Sequence, residues 1–535
     1  MTYNGGIYDL PFWNGEGGIQ DRYANKYNDR SRLTLTVDTR TATEYGVVRT
    51  FGQGDFQFST FGSTSAIGYG PSLFPGATNG EVNNDTVGNG YVAVAMLFIQ
   101  FAGFTFGKSA SAYNTPWHGY PGNSTSYLVG GYDTVVGINN VQYSAQFGNG
   151  VSATIGIDDF SASQFNRTQI INAIGGAATF DPTTTPGVGV FAGNQGGVIG
   201  WTGACSAFYT PVGCAYGGAA VPDFVGHVRV EQAWGLFQIS GAIHDNHAGY
   251  FAGSNLISNS VTPAGFSQVG FINFGHPNDA FGGAASAALQ IKNIPTGAGD
   301  DVKVEGSWSR GASKYVLGES ALNPSSFNIY NGTRYAMGVV TDAIYSGQSP
   351  SGPICGPVGC NGNPQTGLQL TRGWGFRGAL NHNWDPHWSS SLFGGIAGLS
   401  YNQTAKTLYC NTFVSNAGVA IAGGGVTNGG GTGGFFTPGS VCDPGFTISM
   451  VGLVTRWTPV KNLSFSVEAL YAYLKTNMSG GAVPVVAATG GPTGPSSSLV
   501  LPTPVCAGAA ISSCQPYNFG NNGTASLSFR VQRNF

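Results

Sequence analysis

The sequence predicts an all-β protein built as a transmembrane antiparallel β-barrel, and three observations carry that reading. Charged residues make up only 9% of the 535-residue chain, against roughly 25% in ordinary soluble proteins. Apolar and polar residues alternate with period two in runs of about ten, the length that a tilted strand needs to cross a bilayer. These runs come in pairs joined by short turns, with long irregular stretches between the pairs, which is the rim asymmetry of outer-membrane barrels.

Other classes fit less well. Mean hydropathy is zero, and the longest apolar run, Tyr91 to Ile99, ends at Gln100. A membrane helix needs about 18 consecutive apolar residues. Disorder conflicts with an aromatic content of 13%. Net charge is −3, and the 22 Lys and Arg are scattered singly, so nucleic acid is not expected as a partner. A soluble sandwich would also alternate, but its strands usually have about five or six residues. So many loops beyond about 15 residues also speak against a compact soluble domain.

Taken in chain order, strands are expected at 31–38, 44–51, 90–99, 101–109, 134–147, 150–158, 223–232, 234–245, 280–292, 300–310, 372–383, 388–401, 446–457, 463–475 and 524–535. Leu33, Leu35 and Val37 alternate with Arg32, Thr34, Thr36 and Asp38 in the first. Val141, Tyr143, Ala145 and Phe147 alternate with Gln142, Ser144 and Gln146. Phe465, Val467, Ala469, Tyr471 and Tyr473 share one face, with Ser464, Ser466 and Glu468 on the other. Leu527, Phe529 and Val531 alternate with Ser526, Ser528, Arg530 and Gln532. Gly148-Asn149-Gly150, Asp385-Pro386-His387 and Pro459-Val460-Lys461-Asn462 form tight turns. The links 52–89, 110–133, 159–222, 246–279, 311–371, 402–445 and 476–523 are the long loops.

This gives about 15 recognisable strands, an odd number where bacterial single-chain barrels have even ones. No basic and apolar export leader precedes them. Both observations suggest a first strand missing from this chain and encoded upstream of Met1, which would complete sixteen.

The eight cysteines fall two by two into four long links. Neighbour pairing gives Cys205–Cys214, Cys355–Cys360, Cys410–Cys442 and Cys506–Cys514, loop staples suited to an oxidising compartment. Metal ligation is weaker, since Cys355 and Cys360 have no CxxC partner or nearby His.

Catalytic and cofactor motifs are absent or imperfect. Gly103 to Ser109 is one residue short of a phosphate-binding loop and sits in a strand. His244-Asp245-Asn246-His247 could hold a metal, but on a strand these side chains alternate in direction. No metal, cofactor or enzyme activity is expected. The charges on polar strand faces are more informative: Arg32, Asp38, His227, Arg229, Glu231, Lys303, Glu305, Arg377, Glu468 and Arg530. In a barrel they line the pore, where rings of charge set ion selectivity. Trp234, Tyr401, Trp457, Tyr473 and Phe535, near strand ends, are expected at the membrane interfaces.

Two segments, Phe98–Ser111 (FIQFAGFTFGKSAS) and Asp133–Gly150 (DTVVGINNVQYSAQFGNG), resemble signature segments of the alphaproteobacterial porin family. The terminal Phe535, with apolar residues at alternate positions before it, resembles the signal read by the barrel-assembly machinery. The resemblance runs from residue 31 onward in strand order. It implies a single sixteen-stranded barrel domain over 1–535, a homotrimer in outer-membrane lipid, and a third loop folded inward as a constriction. Here that loop is 110–133, with Trp117, His118, Tyr120, Tyr127 and Asp133. Its scarcity of acidic residues argues against a strongly cation-selective eyelet. The function implied is passive diffusion of ions and small hydrophilic solutes across the bacterial outer membrane. The rival reading is a secreted, disulfide-stapled adhesin or binding module, which would require an internal repeat at a fixed period.

Overall fold

A computed structural model describes residues 1–7, 27–59, 91–132, 136–160, 170–173, 178–180, 189–191, 220–249, 276–318, 326–331, 334–346, 365–414, 440–482 and 517–535. Sixteen antiparallel strands close into one barrel. They are β1 Thr2–Ile7, β2 Tyr27–Thr43, β3 Gly46–Ser59, β4 Tyr91–Phe101, β5 Phe104–Ser109, β6 Ile138–Gly148, β7 Val151–Asp158 and β8 Asp223–Gln232, followed by β9 Gly235–Asn246, β10 Ala280–Lys292, β11 Asp301–Arg310, β12 Arg372–Asn383, β13 Trp388–Ser400, β14 Phe446–Val460, β15 Leu463–Thr476 and β16 Asn522–Arg533. Each pairs with its sequence neighbour, and β1 pairs with both β2 and β16. Closure satisfies every edge, as a strand wall in lipid requires.

The strand expected upstream of Met1 is therefore Thr2–Ile7, inside the segment read as a leading link. It runs from Thr2 opposite Gln532 to Ile7 opposite Leu527. Its signal is weak because it has only six residues, two of them the poor strand formers Gly5 and Gly6. The other fifteen strands overlap the segments where alternation placed them, with most ends shifted by up to five residues; the strand expected at 44–51 runs on to Ser59, taking eight residues from the link expected at 52–89. Seven short turns join strands on one rim. At two of them the left-handed pairs Ala102-Gly103 and Asn149-Gly150 reverse the chain, with φ of 50° and 85°, then 51° and 76°. Gly150 is required twice over, since an added Cβ would stand 1.9 Å from the Glu231 carbonyl oxygen.

Among the described residues the outer face carries an apolar band between the two rims. Leu35, Val37, Ile155, Val228, Ile239, Leu392, Val451 and Leu527 all point outward and are half or more exposed. In water each would forgo about 1.5–3 kcal/mol of burial, so this surface belongs in lipid. Trp234, Trp457, Tyr473 and Phe535 are exposed, as expected of interface aromatics. Tyr401 is not: it is buried, and its hydroxyl donates to the Val339 carbonyl.

The inner face departs from simple alternation. Thr105, Thr154, Ser240, Ser307 and Ser466 are inward and polar. On β13–β15, however, the inward set includes Phe393, Ala397, Leu399, Ile448, Met450, Leu470 and Leu474, all buried. These residues are covered by loop elements. The hairpin Ser326–Asn331/Arg334–Val339 brings Phe327, Ile329, Met337 and Val339 onto them, and the helix Gln403–Val414 adds Leu408 and Tyr409. The loops carry part of the core, so strands beneath them are apolar on both faces. Cys410–Cys442 forms a disulfide with Cα atoms 5.9 Å apart, tying that helix to the approach of β14. The other three expected pairs lie outside the described residues.

Candidate functional site

The segment 110–132 leaves β5 and runs inside the barrel, held by inward-facing groups from β8 round to β16. On β8 and β9, His227 Nδ1 donates to the Ala112 carbonyl at 2.6 Å, Arg229 to that of Pro116 at 2.9 Å, and Gln238 to that of Asn114 at 2.7 Å. On β11 and β12, Ser307 and Asn381 donate to the carbonyls of Gly130 and Pro121, and Arg377 lies 5.7 Å from the Tyr120 ring centroid. On β14 and β16, Arg456 reaches Gly122 and Ser124, and Arg530 donates to the Ser124 carbonyl.

Glu468 on β15 is the most densely bonded anchor. Its carboxylate accepts from the backbone amides of Ser124, Thr125 and Ser126 and from the Thr125 hydroxyl. Three consecutive N–H groups aimed at one carboxylate form an anion nest, here filled by the protein's own side chain.

Small residues permit close approach at Gly130 and Gly131. Gly130 has φ +104°, and a Cβ there would lie 2.3 Å from the Phe376 carbonyl oxygen. A Cβ on Gly131 would stand 2.5 Å from both Arg377 Nε and Glu305 Oε2. Those two atoms form a fully buried ion pair at 2.7 Å.

The other charges expected along the pore lie on the inner face, distributed around the wall. Arg32 lies 3.4 Å from Asp55 and bonds Gln57. Asp38 pairs with Arg49 and Arg40. Glu231 meets Lys292 at 3.2 Å, and Lys303 meets Asp301 at 3.7 Å, both pairs near the short-turn rim. Of the segment's own residues, Tyr127 is buried, Trp117 and Tyr120 half-buried, and His118 exposed to the lumen with φ 46°. Enclosure within the barrel, and then the Arg229 guanidinium, hold the His118 imidazole below its ordinary range. Burial pushes the Tyr113 phenol up. Asp133 lies outside the described residues.

Sequence reasoning passed over Arg456, Gln238, Ser307 and Asn381. Arg456 was within reach, since it sits on the same inward register of β14, next to the outward Trp457. The uncharged three carry no signal beyond alternation. His244 and His247, once a metal candidate, are separated. His244 points inward to Asp223 at 2.7 Å, while His247 bonds Asp279 at the rim.

A family model described as the porin subfamily matches residues 9–492. No curated protein matches the chain. Among solved structures, the outer-membrane channel DcaP of Acinetobacter baumannii is similar at 10% identity and TM-score 0.48, covering 100% of this chain and 94% of that one. Pseudomonas putida OprB at high pH is similar at 7% identity and TM-score 0.40, with 100% and 92% covered. An anion-selective porin from Comamonas acidovorans has 7% identity and TM-score 0.36, with 99% and 97% covered.

Proposed function

This chain belongs to that porin subfamily, and from that premise we propose that its inner wall and the segment 110–133 set what passes. The protein is an outer-membrane porin, a channel for passive diffusion of ions and small hydrophilic solutes rather than an enzyme. The secreted adhesin reading finds no support in a closed barrel with an apolar outer face.

In our reading the segment 110–133 narrows the lumen, with Trp117, His118 and Tyr120 on its water-facing side. The observation that carries this is the row of inward anchors from His227 on β8 to Arg530 on β16. The open side of the lumen then faces β2 and β3, where Arg32, Thr34 and Asp55 stand. The described part of the segment contains no acidic residue, and Glu468 spends its charge on backbone amides. Arg32, Arg456 and Arg530 give the narrow zone a positive balance, so the channel favours small anions. Homotrimer assembly and recognition of Phe535 by the barrel-assembly machinery complete the proposal.

Swelling of proteoliposomes in isosmotic sugars tests the size limit. Rates should fall steeply with solute size, and Gly130→Val, which displaces the segment, should relax that dependence. An unchanged size dependence would remove the constriction. A reversal potential of cation sign under a KCl gradient would overturn the anion preference.

A further inference from the structure

The outer face offers a second place where charge collects. Arg310 and Arg372 are the last rung of the β11–β12 ladder, directly opposite one another at the long-loop rim. Both alternate with buried inward residues, Ser309 and Gly373, and both are exposed on the outer side. Like charges directly opposed on adjacent strands destabilise a sheet. Among the described residues no acidic side chain pairs with either guanidinium.

Their position on the wall supplies the missing counter-charge. One rung pair inward, the outward Trp308 and Trp374 also face each other, 52% and 44% exposed. Phe376 and Leu380 continue the apolar face below. Outward tryptophans on a barrel mark the membrane–water interface. The two arginines therefore stand at lipid headgroup level on the long-loop side. Guanidinium forks match phosphate oxygens bidentately and tolerate partial desolvation better than ammonium groups.

We propose that Arg310 and Arg372 form a binding site for the phosphate monoester of an anionic outer-leaflet lipid, with Trp308 and Trp374 against the start of its acyl region. The site lies outside the lumen, so it goes beyond the channel reading and can fail independently of it. Lys475 at the same rim lies outward above Tyr473 and adds positive charge without sharing the fork.

The test uses the full chain, folded and embedded in phosphatidylcholine nanodiscs. It is titrated with vesicles carrying bis-phosphorylated lipid A, with vesicles carrying the same lipid after phosphate removal, and with inorganic phosphate alone. The phosphorylated lipid should be retained and the phosphate-free form released. Arg310→Ser/Arg372→Ser should weaken retention roughly thirtyfold, at about 1 kcal/mol per basic residue near the membrane surface. Unchanged unit conductance of that variant shows that it has folded. Arg310→Lys/Arg372→Lys, a milder change, should retain an intermediate amount. Equal retention by the serine variant, or indifference of the native protein to lipid phosphates, would overturn the site. Displacement of bound lipid by inorganic phosphate at equal concentration would overturn its assignment to lipid.

Discussion

Removing the Glu468 side chain should free the middle of the inward segment. In Glu468→Ala the amides of Ser124, Thr125 and Ser126 lose their shared acceptor. Ser126 is buried, so its orphaned N–H costs about 1–3 kcal/mol; the half-buried other two recover water bonds and lose about 0.5–1.5 kcal/mol each. The total is about 4 kcal/mol, a shift of about 10³ in the ratio of docked to undocked segment. The assay is single-channel recording in a planar bilayer, with open-channel noise and reversal potential read on the same membrane. The variant should show larger unit conductance, more flicker and a further shift toward anions, because Arg456 and Arg530 lose a nearby carboxylate. Glu468→Gln keeps one carbonyl acceptor and should shift selectivity more than noise. If the alanine variant is folded and shows native conductance, noise and reversal potential, the anchoring role assigned to Glu468 is wrong.

Three further outcomes are expected. Arg377→Met should destabilise the barrel by about 3 kcal/mol in urea unfolding by stranding buried Glu305, and adding Glu305→Leu should recover much of that loss. Gly130→Val should mimic the Glu468→Ala conductance, since its Cβ cannot fit beside the Phe376 carbonyl; a native trace would contradict this. Asp300, bonded by Thr296, the Asn383 amide and His382, is held down at about 2 from 3.8. A depressed carboxyl stabilises the fold above its ordinary value and loses that contribution as pH falls toward 2. The urea midpoints of the native protein and Asp300→Asn should therefore differ at neutral pH and converge in that acid window.

Alternation made most of the barrel legible because a membrane strand shows lipid on one side and a different environment on the other. It worked best where that contrast is sharp, as in Phe465–Tyr473 against Ser464, Ser466 and Glu468. It failed at Thr2–Ile7, where two glycines remove the side chains that would report a face. It also gave only half the truth on β13–β15. Ile448, Met450 and Leu474 look like interruptions of a polar face until the hairpin at 326–339 is seen lying against them. A long-range loop contact leaves no periodic trace in the strands it covers. The same holds within the lumen. Charged anchors such as His227, Arg229 and Glu468 could be named from their register, but nothing local indicates that Glu468 meets three amides more than 340 residues away.

A water-filled path runs through the barrel, and conductance of the purified chain in a planar lipid bilayer is its plainest test. Stable, ohmic steps whose size scales with the conductivity of the bathing salt are expected, with a reversal potential of anion sign under a KCl gradient. A folded, membrane-inserted protein that gives no steps would contradict it.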